Sequence, residues 1–138
     1  MEKIVGFTAG TFDMFHVGHL NLLKNAKERC DYLVVGVNSD ELVINYKHKK
    51  PVVPIEERVQ IVEAIKYVDQ VIVTDTLDKK VVWDKIAYSR LFIGDDWKGS
   101  DRWNKTEEEM KQYGVEVVYL PYTKTTNSTL LREKLLSK

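Results

Sequence analysis

Two histidines near the start of the chain, His16 and His19, have the residue type and the spacing that suit phosphate chemistry. An apolar run ends at Gly10 before them, and a leucine-rich segment with helical spacing follows them. A strand, a glycine turn and a helix start gather unpaired backbone N–H groups at the positive end of a helix dipole. Residues three apart share one side of the first helical turn, so both imidazoles can donate to one phosphate group. Gly18 has no side chain and lets that phosphate approach the backbone.

The same histidines have two other interpretations, metal ligation and a purely structural role. A metal site at this spacing needs further ligands, and the chain offers only Cys30 and one more histidine, His48. A structural role would make them ordinary hydrogen-bonded polar groups. The flanking residues favour phosphate contact.

A lysine cluster at Lys47, Lys49 and Lys50 supplies positive charge of the kind that a nucleotide triphosphate requires. Such a ligand brings about four negative charges, and more charge develops on the leaving pyrophosphate. The alternative is a solvated loop. Because residues 43–54 are rich in lysine and proline, we predict that they form a mobile lid.

A second polar motif, Gly94-Asp95-Asp96-Trp97, follows another apolar run. Asp96 can accept hydrogen bonds from a ribose or an acceptor hydroxyl, and Trp97 can form a pocket wall; turn capping is the alternative. Gly94 and Gly99 have P-loop spacing, but Ser100-Asp101 stands where Lys and Ser or Thr are required, which excludes a Walker motif. The dinucleotide-binding glycine fingerprint is also absent, so nothing supports hydride transfer.

The elements that must position these motifs are five short apolar runs alternating with segments of helical spacing. The runs are continuous, which is typical of strands buried on both faces; they lie at residues 4–7, 32–37, 71–73, 91–93 and 115–120. The pattern predicts an α/β fold, a doubly wound, mostly parallel five-stranded sheet with helices on both faces and a closing helix near residues 131–135. The polar motifs then follow strands at one sheet edge, where such sheets bind ligands.

Length and composition limit the functional classes. The 138 residues suit one domain, 1–138, whose core needs neither disulfides nor metals. The 21 basic and 21 acidic residues cancel, so we expect no nucleic-acid partner. No signal pattern and no apolar run near twenty residues is present, and Cys30 has no second cysteine to pair with. We therefore expect no membrane insertion and a cytoplasmic location.

Five motifs, spread over nearly the whole chain, carry a family resemblance. They are Gly10-Thr11-Phe12-Asp13 with His16-x-x-His19, Lys47-His48-Lys49-Lys50 before Pro51 and Arg58, Lys66-Tyr67-Val68-Asp69, Gly94-Asp95-Asp96-Trp97-Lys98-Gly99, and Asn127-Ser128-Thr129. Together they resemble the signature of the cytidylyltransferase-like nucleotidyltransferase superfamily, nearest to its bacterial glycerol-3-phosphate cytidylyltransferase branch. The resemblance implies a Rossmann-like nucleotidyltransferase fold and a homodimer.

The resemblance also implies a reaction in which a small alcohol phosphate, similar to glycerol 3-phosphate, attacks the α-phosphate of CTP and releases pyrophosphate. Mg²⁺ would arrive with the triphosphate and have no direct protein ligand. The implied catalytic residues are His16, His19, Lys47 and Lys49. The implied nucleotide-binding residues are Thr11, Phe12, Gly18, Asp96, Thr123, Ser128 and Thr129. The implied substrate-binding residues are Asp13, Lys49, Arg58, Lys66 and Trp97; the family commonly has arginine at the Lys66 position.

The last motif departs from the family pattern. Members typically have Arg-Thr-x-Gly-Ile-Ser-Thr-Thr, whereas this chain has Tyr122-Thr123-Lys124-Thr125-Thr126-Asn127-Ser128-Thr129, without the arginine and the glycine. Two alternatives therefore stay open. One is an adenylyltransferase that uses ATP with a sugar-phosphate, FMN or pantetheine-phosphate acceptor, and the other is a non-catalytic nucleotide-binding protein.

Overall fold

A computed structural model describes residues 3–121 and contains one five-stranded sheet in which every strand pair is parallel. The strand order is β3-β2-β1-β4-β5. The strands are β1 (Val5–Gly10), β2 (Tyr32–Asn38), β3 (Gln70–Thr74), β4 (Arg90–Gly94) and β5 (Glu116–Leu120). The five predicted strands and the parallel α/β architecture are confirmed. The predicted closing helix lies outside the described residues.

Helices cover both faces of the sheet, as predicted. They are α1 (Val17–Lys27), α2 (Asp40–Lys47), α3 (Ile55–Glu63), α4 (Lys79–Ile86) and α5 (Asp101–Lys111). One core packs α1 and α3 against the side of β2 that carries Leu33, Val35 and Val37. The other core packs α4 and α5 against the side that carries Val34. Because both faces of β2 are buried, its sequence is a continuous apolar run.

The segment after β2, part of which we predicted to form a mobile lid (residues 43–54), contains the helix α2. Ser39 caps it, because its Oγ accepts a hydrogen bond from the Leu42 N–H at 3.2 Å. Asp40 and Glu41 lie in its first turn, where a helix dipole favours negative charge. The helix ends at His48, whose backbone is left-handed (φ 58°). The first part of the proposed mobile segment is therefore helical, and only residues 48–54 lie outside a helix.

The order of the strands indicates where along the edge of the sheet a ligand would bind. The connection from β1 leads to β2 on one side, whereas β4 and β5 lie on the other side of β1. The order thus reverses between β1 and β4, and the loops beyond their carboxyl ends diverge to leave a crevice. In residues 3–121 no helix has both the length and the apolar character needed to cross a membrane.

Candidate active site

The crevice at the carboxyl edge of the sheet is a cavity of about 660 Å³. Loops after β1, β2 and β4 contribute to its wall, as the motif positions predicted, and the loop after β3, to which no motif was assigned, contributes as well. The lining side chains that matter for chemistry are Thr11, Asp13, His19, Tyr46, Lys47, Lys49, Lys50, Lys79, Trp97 and Arg102. The predicted contributions of Thr123, Ser128 and Thr129 lie outside the described residues.

The two histidines form a stacked pair at the start of α1. Their ring centroids are 3.9 Å apart and the rings are inclined by 27°. His16 is the N-cap residue, and its Nδ1 accepts a hydrogen bond from the Gly18 N–H at 3.1 Å. The Nδ1 of His19 accepts from the His16 N–H at 3.3 Å. Because each Nδ1 is an acceptor, these hydrogen bonds assign the neutral Nε2–H tautomer to both rings.

This arrangement changes how the junction would bind a phosphate. The N–H groups of His16 and Gly18 are already used by the imidazoles, so the donors that remain for a ligand are the two Nε2–H groups. His19 lies in the cavity wall, and His16 is stacked on it. The Nε2 of His16 is buried and has no hydrogen-bond partner within residues 3–121. A buried donor without an acceptor is costly, which marks this atom as a donor that an acceptor from outside the described residues would satisfy.

Burial holds both histidines in the neutral state. Burial lowers the pKa of the His16 imidazole. Burial also lowers the pKa of the His19 imidazole to about 3; the neighbouring His16 and the Lys47 ammonium add to this shift, and the Asp13 carboxylate opposes it. Neutral imidazoles act here as hydrogen-bond donors that need no proton uptake before an anion binds. The Lys47 ammonium supplies the positive charge beside them.

We expect His19 of the ligand-free protein to stay neutral down to about pH 4, because its folded-state pKa is near 3. Imidazole NMR shifts recorded against pH measure this directly, and the urea-unfolded chain, titrating at about pH 6.5, is the control. Since the unfolded state binds more protons below that pH, the His19 contribution to stability falls as the pH drops from about 6.5 towards 3. A folded-state His19 titration at about pH 6 would contradict the buried tautomer.

Asp13 ties the histidine loop to the segment that follows the lysine cluster. Its buried carboxylate accepts hydrogen bonds from the N–H groups of Val52 at 2.8 Å and Val53 at 2.9 Å. Its neighbours Phe12 (φ 53°) and Met14 (φ 49°) have left-handed backbones, which is strained for such side chains. Asp13 lies in the cavity wall, and the substrate contact implied for it stays a prediction.

Arg58 does not have the predicted substrate-binding role. Its side chain is fully buried, and its guanidinium donates to the carbonyl oxygens of Thr11, Asn38 and Val53 at 2.7 to 2.8 Å. It also forms an ion pair with Asp40. With four hydrogen bonds to protein acceptors, Arg58 joins the ends of β1 and β2 to the start of α3. The sequence contained a sign of this, since Arg58 precedes the buried Val62 by one helical turn.

Lys66 does not have its predicted role in the cavity either. It lies between the end of α3 and the start of β3. Since α3 returns the chain from the carboxyl edge to the amino edge of the parallel sheet, Lys66 lies at the opposite edge from the cavity. Its ammonium lies 5.3 Å from the ring centroid of Tyr67.

Lys47, Lys49 and Lys50 all line the cavity, so the lysine cluster is brought to the histidines as predicted. Phe12 and Trp97 also lie in the wall, and 44% of Trp97 is exposed. Asp96 lies beside Trp97 but is not one of the lining residues; burial raises the pKa of its carboxyl, and the charge of Asp95 adds to the shift. The ribose contact of Asp96 stays a prediction.

A hydrogen-bonded network that the sequence analysis missed holds α2 in place. The Thr74 hydroxyl donates to Asn38 Oδ1 at 2.7 Å, and Asn38 Nδ2 donates to the Tyr46 hydroxyl at 3.2 Å. The Tyr46 hydroxyl is in turn 2.9 Å from Thr11 Oγ1. This chain of contacts fixes the helix that carries Lys47 to the loop that carries the histidines. The network includes the hydroxyl of Thr11, a residue that we predicted to bind the nucleotide.

Two further cations in the wall, Lys79 and Arg102, were also missed. Lys79 is the first residue of α4, and Arg102 lies in the first turn of α5. A positive side chain in the first turn of a helix opposes the dipole, and this unfavourable placement was the available signal.

The chain is similar to known proteins over most of its length. The family model described as cytidylyltransferase-like matches residues 7–134. The chain is 39% identical over 137 residues to the glycerol-3-phosphate cytidylyltransferase of Bacillus subtilis (strain 168), covering 98% of each chain. It is 38% identical over 125 residues to the FAD synthase of Thermococcus kodakarensis, covering 88% of this chain and 82% of that one. A lipopolysaccharide core biosynthesis protein of Thermoplasma volcanium has the same fold, with a TM-score of 0.74 at 24% identity over 91% of this chain and 100% of the other.

Proposed function

The chain belongs to the cytidylyltransferase-like family, and from this premise we propose that it catalyses attack of a small alcohol phosphate on the α-phosphate of CTP. The products are a CDP-alcohol and pyrophosphate. The observation that carries the proposal is the stacked histidine pair beside the lysine-lined cavity, with two Nε2–H donors, one of them buried and awaiting an acceptor. Near-full-length relatives that are glycerol-3-phosphate cytidylyltransferases support the choice of nucleotide and acceptor.

The mechanism needs no nucleophile from the protein. An oxygen of the acceptor phosphate forms the new bond to the α-phosphorus, and the bond to the bridging oxygen breaks, so that pyrophosphate leaves with the electron pair. The Nε2–H groups of His16 and His19 donate to the α-phosphate oxygens as charge develops on them. Lys47 and Lys49 hold the triphosphate and the acceptor phosphate in line. Catalysis thus consists of positioning and of preorganised charge stabilisation.

We propose that Mg²⁺ is bound mainly by the nucleotide. Within residues 3–121 no group of three or more His, Cys, Asp or Glu side chains is arranged to hold a metal ion. Both oxygens of Asp13, the acidic residue of the described cavity wall, accept backbone hydrogen bonds. These residues fit an ion whose ligands are phosphate oxygens and water, as is common for Mg²⁺. The ion would neutralise charge on the triphosphate.

An ATP-dependent adenylyltransferase is the second candidate, favoured by the similarity to archaeal FAD synthases at 38 to 40% identity. In addition, Tyr122 stands where family members typically carry arginine. The homodimer and the cytoplasmic location are further proposals, supported by the family and by the single cysteine.

The test is pyrophosphate release with Mg²⁺, with CTP and ATP each assayed against phosphorylated acceptors. The panel is glycerol 3-phosphate, phosphoethanolamine, phosphocholine, heptose 1-phosphate, FMN and phosphopantetheine. We expect CTP with an alcohol phosphate to exceed ATP by about tenfold or more in kcat/KM. Release with ATP alone would establish the adenylyl alternative. Nucleotide binding without any turnover would favour the non-catalytic alternative.

A further inference from the structure

Tyr46 belongs to a chain of hydrogen bonds that starts in the core and ends in the cavity wall. The Thr74 hydroxyl and the Asn38 amide at its start are buried, and the bond between them is 2.7 Å long. Asn38 Nδ2 donates to the Tyr46 hydroxyl oxygen at 3.2 Å, and that oxygen lies 2.9 Å from Thr11 Oγ1. Tyr46 and Thr11 both line the cavity. The last hydroxyl of the chain, that of Thr11, is therefore within reach of a bound ligand.

The direction of these hydrogen bonds follows from the buried end of the chain. The Thr74 hydroxyl donates to Asn38 Oδ1, which can only accept, so Asn38 presents its Nδ2–H to the Tyr46 oxygen. A phenolic hydroxyl is more acidic than an aliphatic one and is therefore the better donor. Accepting a bond from Asn38 strengthens it further as a donor. Tyr46 thus donates to Thr11 Oγ1, and the Thr11 proton is left for an acceptor in the cavity.

The ring of Tyr46 makes a second contact with the proposed machinery. The Lys47 ammonium lies 5.6 Å from the ring centroid, which is a cation–π distance. Because Asn38 and Thr11 hold the hydroxyl end of the ring, the face that meets the ammonium has a fixed position. One side chain on α2 thus governs both a hydroxyl of the histidine loop and a cation of the lysine cluster.

Resting on the proposed function, we propose that Tyr46 is a positioning residue for the nucleotide: it orients the Thr11 O–H as a donor to a nucleotide phosphate oxygen and holds the Lys47 ammonium beside it. Phosphate oxygens accept hydrogen bonds, so they complement a hydroxyl whose own oxygen already accepts one from Tyr46. Because the chain of bonds is made among protein groups, the donor is preorganised before the nucleotide arrives. Tyr46 acts through Thr11 and Lys47 and takes no part in bond making.

The test is a double-mutant cycle of Tyr46→Phe and Thr11→Val, assayed at saturating acceptor with whichever nucleotide supports turnover. Phenylalanine removes the hydroxyl but keeps the ring beside Lys47, and valine removes the Thr11 hydroxyl at nearly the same size. We expect each single variant to raise the nucleotide KM about tenfold and to leave the acceptor KM unchanged. The double variant should exceed Thr11→Val by no more than about twofold, because Tyr46 acts through that hydroxyl.

Tyr46→Leu tests the contribution of the ring. It removes the ring as well as the hydroxyl, so the nucleotide KM should rise about threefold further than in Tyr46→Phe.

Tyr32→Phe is the matched control for the loss of a tyrosine hydroxyl. The Tyr32 hydroxyl donates to Gln70 Oε1 at 3.0 Å, and the Lys3 ammonium lies 5.5 Å from its ring centroid. Tyr32 begins β2 and therefore lies at the amino edge of the sheet, opposite to the cavity. Its substitution removes the same kind of hydrogen bond beside the same kind of cation, and both KM values should match those of the wild type.

Three results would overturn the inference: an unchanged nucleotide KM in either single variant, additive losses in the cycle, or equal rises in the nucleotide and acceptor KM. The second would separate Tyr46 from Thr11, and the third, together with a lower free energy of unfolding in urea, would make Tyr46 a purely structural residue. If no acceptor supports turnover, the proposed function fails separately. Calorimetric titration of the wild type and the variants with CTP and with ATP, each with Mg²⁺, still decides. Non-additive weakening for the nucleotide that binds supports the inference, whereas additive weakening, unchanged affinity or undetectable binding of both contradicts it.

Discussion

His16→Asn and His19→Asn are each expected to lower kcat by about 10²–10³ while leaving the fold intact. Asparagine places its Oδ1 near the position of the histidine Nδ1. It can therefore still accept the hydrogen bond that His16 receives from the Gly18 N–H, or that His19 receives from the His16 N–H. What the substitution removes is the Nε2–H group. The variants thus separate the helix cap from the proposed donation to the α-phosphate.

The expected size follows from the role assigned to these groups. A preorganised donor directed at developing charge in a water-poor site contributes about 10²–10³ in rate. Since the two rings are stacked and act on one phosphate, the double variant should lose much less than the product of the single losses. Pre-steady-state and steady-state pyrophosphate release give kcat, and urea unfolding gives the free energy of unfolding.

His48→Asn is the matched control. His48 is exposed and ends α2 in a left-handed conformation that asparagine tolerates. The kcat and the stability of the His48→Asn variant should therefore match those of the wild type. His16→Gln and His19→Gln return a donor near the Nε2 position and should recover part of the lost rate. A kcat within about threefold of wild type in the Asn variants would remove the histidines from the chemistry. A loss of stability that accounts for the lost activity would assign them to capping alone.

The parts of the site that could be predicted from the sequence lie within short continuous segments at the ends of strands. His16 and His19 belong to one helical turn, and Lys47 to Lys50 form one cluster, so local spacing sufficed. The sheet could be predicted because strands buried on both faces leave continuous apolar runs, as in β2. The helix α2 was missed although Ser39, Asp40 and Glu41 are a helix start, because the lysines and prolines after it are typical of a loop.

The rest depended on contacts that span the chain. Lys79 and Arg102 reach the cavity because β3 and β4 end at the same sheet edge as β1, and no local pattern states how their helices are then oriented. The motif that contains Lys66 suggested a charge at the site, but the chain direction places it at the amino edge. The prediction for Arg58 was wrong because its role also depends on contacts between distant segments: its acceptors lie at the ends of β1 and β2 and in the segment before α3.

Arg58→Met is expected to destabilise the fold by about 3–5 kcal/mol, a large share of the typical 5–15 kcal/mol of a domain. Methionine fills similar space but donates nothing. The carbonyl oxygens of Thr11, Asn38 and Val53 lose a buried donor, and Asp40 loses its cation. Urea unfolding measures the loss. Arg29→Met, at an exposed arginine just after α1, is the control and should change stability by no more than about 0.5 kcal/mol.

The same variant decides between the two roles considered for Arg58. A substrate-binding arginine would leave the free energy of unfolding unchanged on substitution and raise the acceptor KM. If Arg58 is a buried positioning residue, its substitution lowers the free energy of unfolding. The substitution then also lowers activity, because the loop bearing Thr11 and the helix bearing Lys47 lose their common anchor. Arg58→Lys keeps the charge but not the planar fork, so its stability should fall between wild type and Arg58→Met. Wild-type stability in Arg58→Met would contradict the structural role, because no buried network would then depend on the guanidinium.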